Sequence, residues 1–252
     1  MNTCFCVCFC NNSIPQYLHH WEEFFKIKNT FAVIDNCNNP VKISVPNILT
    51  YNEDSLRSTL NITYDVSKKH YWNSVGNRNI IWFYAYYRML LFYIQHPTYD
   101  YYWFFDDDIK CNNWNSFFNN IKYDADFLSF FVFKNANITS QPLIPVIDNN
   151  THSKIDWFNR FPGDKDTMPS DIKDIFGSFF AITRFSNKAM KTLLDLHFDN
   201  FYGYGEGYVP TMLNYKGLKL DTLYNSNNIS RHFNITDVNI THKNHIINWE
   251  WI

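Results

Sequence analysis

At 252 residues, with a formal net charge of −2 and no basic tract, the chain suits one large domain and lacks the electrostatic footprint of a nucleic-acid binder. Its 46% hydrophobic and 19% aromatic content excludes a disordered chain, because such a chain has too little apolar surface to bury. The apolar opening CFCVCFC has no basic region before it and no small-residue cleavage site after it. A cytoplasmic location is therefore expected.

Thr3–Cys10 is a continuous apolar run, as in a parallel strand covered on both faces. Cys4, Cys6, Cys8 and Cys10 alternate onto one face of it. Same-face residues of one strand are ~6.6 Å apart, too far to close a tetrahedral metal site, so these thiols are read as small core hydrophobes. Ile14–Lys26 has helical spacing of Leu18, Trp21 and Phe25. Thr30–Asp35 reads as a second strand, and 41–45 with 48–50 as a third strand region interrupted by Pro46. Asn79–Gln95 predicts a long buried helix closed by His96 and Pro97. It carries Arg88 in its middle, so it is read as a core helix and not a membrane span. A buried Arg needs a partner, and an aspartate of the cluster described below is the candidate. Tyr101–Phe105 is the next strand. This β-α-β-α order predicts a mostly parallel central sheet with helices on both faces, in one domain over 1–252.

The second half reads differently. Phe127–Phe133 predicts a strand, and 135–174 is a polar excursion punctuated by Pro142, Pro145, Pro162 and Pro169 that would shape a cleft. Phe176–Thr183 returns to strand, and Ser186–Leu196 predicts an amphipathic helix with Ser186 as its N-cap. The tail beyond Leu218 contains short strands and His232, His242 and His245.

The run YYWFFDDDIK places Asp106, Asp107 and Asp108 directly after a buried strand. Three adjacent carboxylates repel one another and are costly to desolvate unless a positive charge answers them. A solvated turn is the plain reading. A hard divalent cation, Mn²⁺ or Mg²⁺, is the chemical one, since carboxylate oxygens suit it. Strand alternation sends Asp106 and Asp108 to one side and Asp107 to the other.

A strand that delivers Asp-x-Asp after two or three βα units resembles the GT-A glycosyltransferases, a Rossmann-like fold, and YDYYWFFDDDIK is similar to their diagnostic segment. The resemblance implies a metal-dependent transfer of sugar from a nucleotide-diphosphate donor, expected to be a UDP-sugar, to a glycan or lipid-linked acceptor hydroxyl. It implies a nucleotide-sugar half at 1–110 and an acceptor half at 111–252. Asp108 would hold the metal, with Asp106 on the metal or the donor ribose and Asp107 beside the donor. A further ligand would come from the tail, with His242 preferred over His232 and His245, and Lys243 near phosphate. Asp35, Asn11 and Arg78 are candidates for donor contacts, and Trp157, Phe158 and Arg160 for the acceptor.

In FYGYGEGYVPTML the glycines Gly203, Gly205 and Gly207 surround Glu206, with Pro210 expected in a helix first turn. Inverting GT-A enzymes resemble this, with an acid before a short helix as general base, which makes Glu206 the candidate; a helix N-terminal carboxylate is the structural alternative. A haloacid-dehalogenase-type phosphohydrolase would want Thr or Val where Lys110 stands. A calcium-dependent carbohydrate-binding protein would explain the aspartates but not the βα order.

Overall fold

The computed structural model describes residues 1–10, 14–35, 43–63, 85–135, 168–203, 205–223, 238, 240–242 and 245–246. Strands β1 (Thr3–Cys10), β2 (Thr30–Asp35), β3 (Ile48–Tyr51) and β4 (Tyr101–Asp106) lie in one seven-stranded sheet with β6 (Phe127–Ser129), β9 (Ile182–Ser186) and β10 (Leu220–Thr222). The order is β10-β6-β9-β4-β1-β2-β3. Strand β9 runs antiparallel to both neighbours, and every other pairing in this sheet is parallel. The mostly parallel sheet read from the βα order is therefore present.

Helix α1 (Ile14–Tyr17) is short, and two 3₁₀ turns continue to Lys26 where one helix was expected. Trp21 and Phe24 are both buried three residues apart, and a tighter coil stacks positions i and i+3 on one line. Helix α2 (Glu53–Thr59) was not foreseen. Its signal is local: Asn52 Oδ1 accepts from Ser55 N at 2.8 Å, while Ser55 Oγ accepts from Asn52 N at 2.9 Å, a capping box. Helix α3 (Tyr86–Gln95) is the described part of the long buried helix.

A three-stranded sheet joins β5 (Ile109–Cys111) to β11 (Ile240–His242) and β12 (His245–Ile246), and α4 (Trp114–Asn120) follows β5. The expected strand 127–133 breaks in two: β6 stays in the central sheet, while β7 (Val132–Asn135) pairs with β8 (Ile175–Ser178). Phe130 and Phe131 are consecutive yet pack into the same core, whereas one extended strand would send them to opposite faces, so the chain bends between them. The expected strand 176–183 likewise splits into β8 and β9 around residues 179–181. Helix α5 (Asn187–Phe198) begins where read, with Ser186 Oγ accepting from Ala189 N at 3.1 Å. Helix α6 (Gly205–Tyr215) completes the described helices.

Each face of the sheet buries its own core. Cys4, Cys6, Cys8, Val33, Tyr102 and Phe104 face α3, α5 and α6. Val7, Phe9, Ala32, Ile34, Trp103 and Phe105 face Trp21, Phe24 and Phe117. Burying such side chains contributes ~1.5–3 kcal/mol each, and this double cover is why the central strands read as unbroken apolar runs. Cys4, Cys6 and Cys8 are buried free thiols as expected, but Cys10, at the strand end, is exposed.

Candidate functional site

Topology selects one edge of the sheet. The chain runs β1, β2, β3 outward in one direction and then returns to place β4 on the opposite flank of β1. The carboxyl ends of β1 and β4 therefore diverge, and such a switch point is where open α/β sheets take ligands. Cys10 ends β1, Asp35 ends β2, Tyr51 ends β3 and Asp106 ends β4, so a polar row lies along this edge. Asp35 pairs in register with Cys10 on one side and Tyr51 on the other.

The three aspartates have three environments. Asp106 is the last residue of β4; its N–H donates to Ala181 O at 2.9 Å, and its Oδ1 accepts from Arg88 Nη2 at 2.8 Å. The ion pair anticipated for Arg88 is thus with Asp106. Asp107 is 9% exposed, and its Oδ2 accepts from Cys10 N at 3.3 Å. Its carbonyl accepts from Trp21 Nε1 at 2.7 Å. Asp108 is 8% exposed and leads directly into β5. Residues 107–108 form a turn, so the alternation assumed from the sequence stops at Asp106. Burial raises the phenol pKa of Tyr17, and the charges of Asp108 and Asp107 raise it further.

Arg88 is the positive centre of this edge. Burial opposes its charge, but Cys8, Asp106, Tyr51 and Cys10 around it outweigh that and raise its pKa, so it stays a cation. The neighbouring acids respond in turn. Burial pushes the Cys8 thiol up to about 12, with Arg88 pulling the other way and Asp106 and Asp107 adding to the rise. Burial likewise raises Tyr51 well above its ordinary value, again against Arg88. Both stay protonated at neutral pH. The salt-bridge partner of Arg88 is Asp106.

Glu206 reaches the same edge from the other half of the chain. It lies in the first turn of α6, the structural position foreseen as the alternative, while Pro210 sits in the second turn and not the first. Glu206 Oε1 accepts from Phe180 N at 3.3 Å, and its carbonyl accepts from Ser178 Oγ at 3.1 Å. Phe180 and Ala181 form the turn between β8 and β9, and Ala181 O is the acceptor for Asp106 N. One turn therefore touches both Glu206 and the Asp strand. Gly205 lets the helix start come this close: a Cβ there would lie 3.1 Å from Phe180 Cε2 and 3.3 Å from Tyr86 Cδ1.

The tail strand comes back as read. Residue 242 pairs with Ile109, one position after Asp108, and with His245 in the next strand. The backbone of His242 is thus beside the aspartate turn. Asn11 and Arg78 lie outside the described residues, as do Trp157, Phe158, Arg160, His232 and Lys243. Trp21 was read only as an apolar position at helical spacing, and Phe180 and Ser178 were not singled out by sequence reasoning. Trp21 had a readable signal, since a buried indole seeks an acceptor; a backbone N–H such as that of Phe180 has none.

The donor set at the turn is all oxygen, which fits a Mg²⁺- or Mn²⁺-type ion. Among the described residues, no group of three or more His, Cys, Asp or Glu side chains is arranged to hold a metal. Ions of this type are commonly held by one or two carboxylates together with substrate phosphates, and the Asp106–Asp108 run supplies carboxylates at this edge. No helix among the described residues is long and apolar enough to cross a membrane.

No protein-family model matches the chain, and no curated protein matches it. Among solved structures, the galactosyltransferase LgtC in complex with donor and acceptor sugar analogs is similar at a TM-score of 0.40 and 8% identity, covering 88% of this chain and 73% of that one. A likeness that weak carries no weight for the site, whose case is the geometry above.

Proposed function

We propose that the protein is a metal-dependent glycosyltransferase that moves a sugar from a nucleotide-diphosphate donor, a UDP-sugar in the first instance, to a hydroxyl of a glycan or lipid-linked acceptor. The observation that carries the reading is the pair of buried carboxylates, Asp107 and Asp108, at the switch point of a mostly parallel sheet. Carboxylates clustered at the ligand-binding edge of such a sheet suit a hard divalent cation that bridges to substrate phosphates.

Asp108 is assigned to the metal, with Asp106 and His242 as further candidates. A bound Mn²⁺ or Mg²⁺ would neutralise charge on the donor diphosphate as it leaves. Asp107, Asp35, Asn11 and Arg78 are assigned to the donor. Glu206 is assigned as the base that takes the acceptor hydroxyl proton, a role that contributes roughly 10²–10⁴-fold in rate. Its hydrogen bond from Phe180 N favours the ionised, proton-accepting form.

The test is calorimetric titration of UDP and of GDP with Mn²⁺, then with EDTA, on wild type, Asp108→Ala and Asp108→Asn. Thermal unfolding checks that the variants are folded. Binding of one nucleotide that is lost with chelator and with both substitutions supports the reading. Binding that ignores the metal, or no binding of either nucleotide, overturns it.

A further inference from the structure

Helix α6 contains a defect at the residue proposed as base. Pro210 has no N–H, so it cannot make the helical bond to the carbonyl four residues earlier, and that carbonyl belongs to Glu206. A proline ring also crowds the carbonyl at i−4 and tilts it off the helix axis. Ser178, fully buried at the end of β8, meets it: Ser178 Oγ donates to Glu206 O at 3.1 Å. Two residues on, Phe180 N donates to Glu206 Oε1, and Ala181 O accepts from Asp106 N. Helix and turn are further joined by Thr211, whose hydroxyl accepts from Phe176 N at 2.9 Å and donates to Phe176 O at 3.1 Å.

We propose that Ser178 is a positioning residue: its hydroxyl replaces the helix bond that Pro210 cannot make, and thereby holds the Glu206 carboxylate on the turn that also carries Asp106. The proposal rests on Glu206 being the proton acceptor for its bearing on catalysis, but its geometric content stands apart from that reading. Without the Ser178 hydroxyl the first turn of α6 loses its tie to the end of β8. The carboxylate would leave Phe180 N with it. An ordinary helical residue at 210 would make Ser178 unnecessary.

That redundancy gives the test. The variants are Ser178→Ala, Pro210→Ala and the double substitution, with ¹³C-carboxyl-labelled glutamate read by NMR and the Glu206 signal assigned by its loss in Glu206→Gln. In Ser178→Ala the Glu206 titration midpoint is expected to rise by at least about half a unit, because the ionised form loses its Phe180 hydrogen bond. Pro210→Ala alone is expected to leave it in place, and the double variant to return it to the wild-type value. Hydrolysis of UDP-glucose or UDP-galactose with Mn²⁺, where present, should show kcat reduced ~10-fold in Ser178→Ala with KM unchanged, and recovery in the double variant. An unshifted midpoint in Ser178→Ala, or no recovery in the double variant, overturns the proposal. If Ser178→Ala does not fold, recovery of folding on adding Pro210→Ala supports it and failure to recover overturns it. Loss of UDP binding in wild type would instead count against the glycosyltransferase reading, and leaves the NMR comparison fully decisive for Ser178.

Discussion

Arg88→Met and Asp106→Asn should destabilise the protein unequally, and the inequality follows from who is buried. The two charges are 2.8 Å apart, with Arg88 11% and Asp106 34% exposed in their side chains. At that distance their attraction is about 1.5 kcal/mol in water and about 6 kcal/mol at an effective dielectric of 20. Asp106 is a third exposed, so the pair lies toward the weaker end, and desolvation of the guanidinium takes back part of the gain. Arg88→Met keeps the apolar stem and frees a carboxylate that can turn to water, at a cost of about 1–2 kcal/mol. Asp106→Asn strands a more deeply buried guanidinium that cannot deprotonate, at a cost of about 3 kcal/mol. The double variant should cost less than the sum of the singles by about 1–2 kcal/mol. Urea unfolding followed by tryptophan fluorescence measures all three. Additive costs, or a larger loss from Arg88→Met than from Asp106→Asn, would refute the argument.

Trp21→Phe keeps the ring stack but removes the indole donor to Asp107 O, so a loss of about 1–3 kcal/mol in unfolding free energy is expected, with weaker nucleotide binding in the same titration as above. Arg184 is fully buried in β9, donating to Lys122 O at 2.7 Å and Ala125 O at 3.0 Å beneath the rings of Tyr123 and Tyr101. Arg184→Met should lower stability by about 2–4 kcal/mol, less than two full charged hydrogen bonds because a desolvated cation goes with them; a melting temperature unchanged within a degree would contradict this. His197 is buried, with Nε2 against Leu60 O at 2.6 Å, and burial lowers its pKa despite that contact raising it. The unfolded chain then binds the extra proton first, so this contribution to stability is intact above about pH 6.5 and is lost as pH falls below it. His197→Gln should flatten the fall in unfolding free energy between neutral and mildly acid pH without abolishing it, since burial lowers His20 and His96 as well. An identical pH profile in the variant would count against the assignment.

Much of the candidate site was legible because residue type alone made demands. A buried Arg needs an anion, and Arg88 has Asp106. Three aspartates after an apolar strand need a special place, and they lie at the switch-point edge. The short tail strand at residue 242 does return to pair beside Asp108. Other relations were not legible because one partner is main chain. The Phe180 N–H that holds Glu206 and the Ala181 carbonyl that meets Asp106 have no residue signature, and they come together only when the turn between β8 and β9 closes.

Taken alone, the sequence determined β1, β2, β4 and α5, because strands covered on both faces are continuous apolar runs and a Ser N-cap marks a helix start. It also determined the presence of the carboxylate cluster and of a buried Arg that pairs with one of its members. Tertiary structure alone decided where the Phe-rich runs 127–133 and 176–183 break, since a run of aromatics reads the same in one strand or in two, and only the competing pairings of β6 with β9 and β7 with β8 choose. It alone decided that the Asp turn leaves the strand register after Asp106, so that Asp107 and Asp108 share one buried turn while Asp106 is held by Arg88. Local pattern encodes which faces must be covered; which backbone groups meet depends on contacts far apart in the chain.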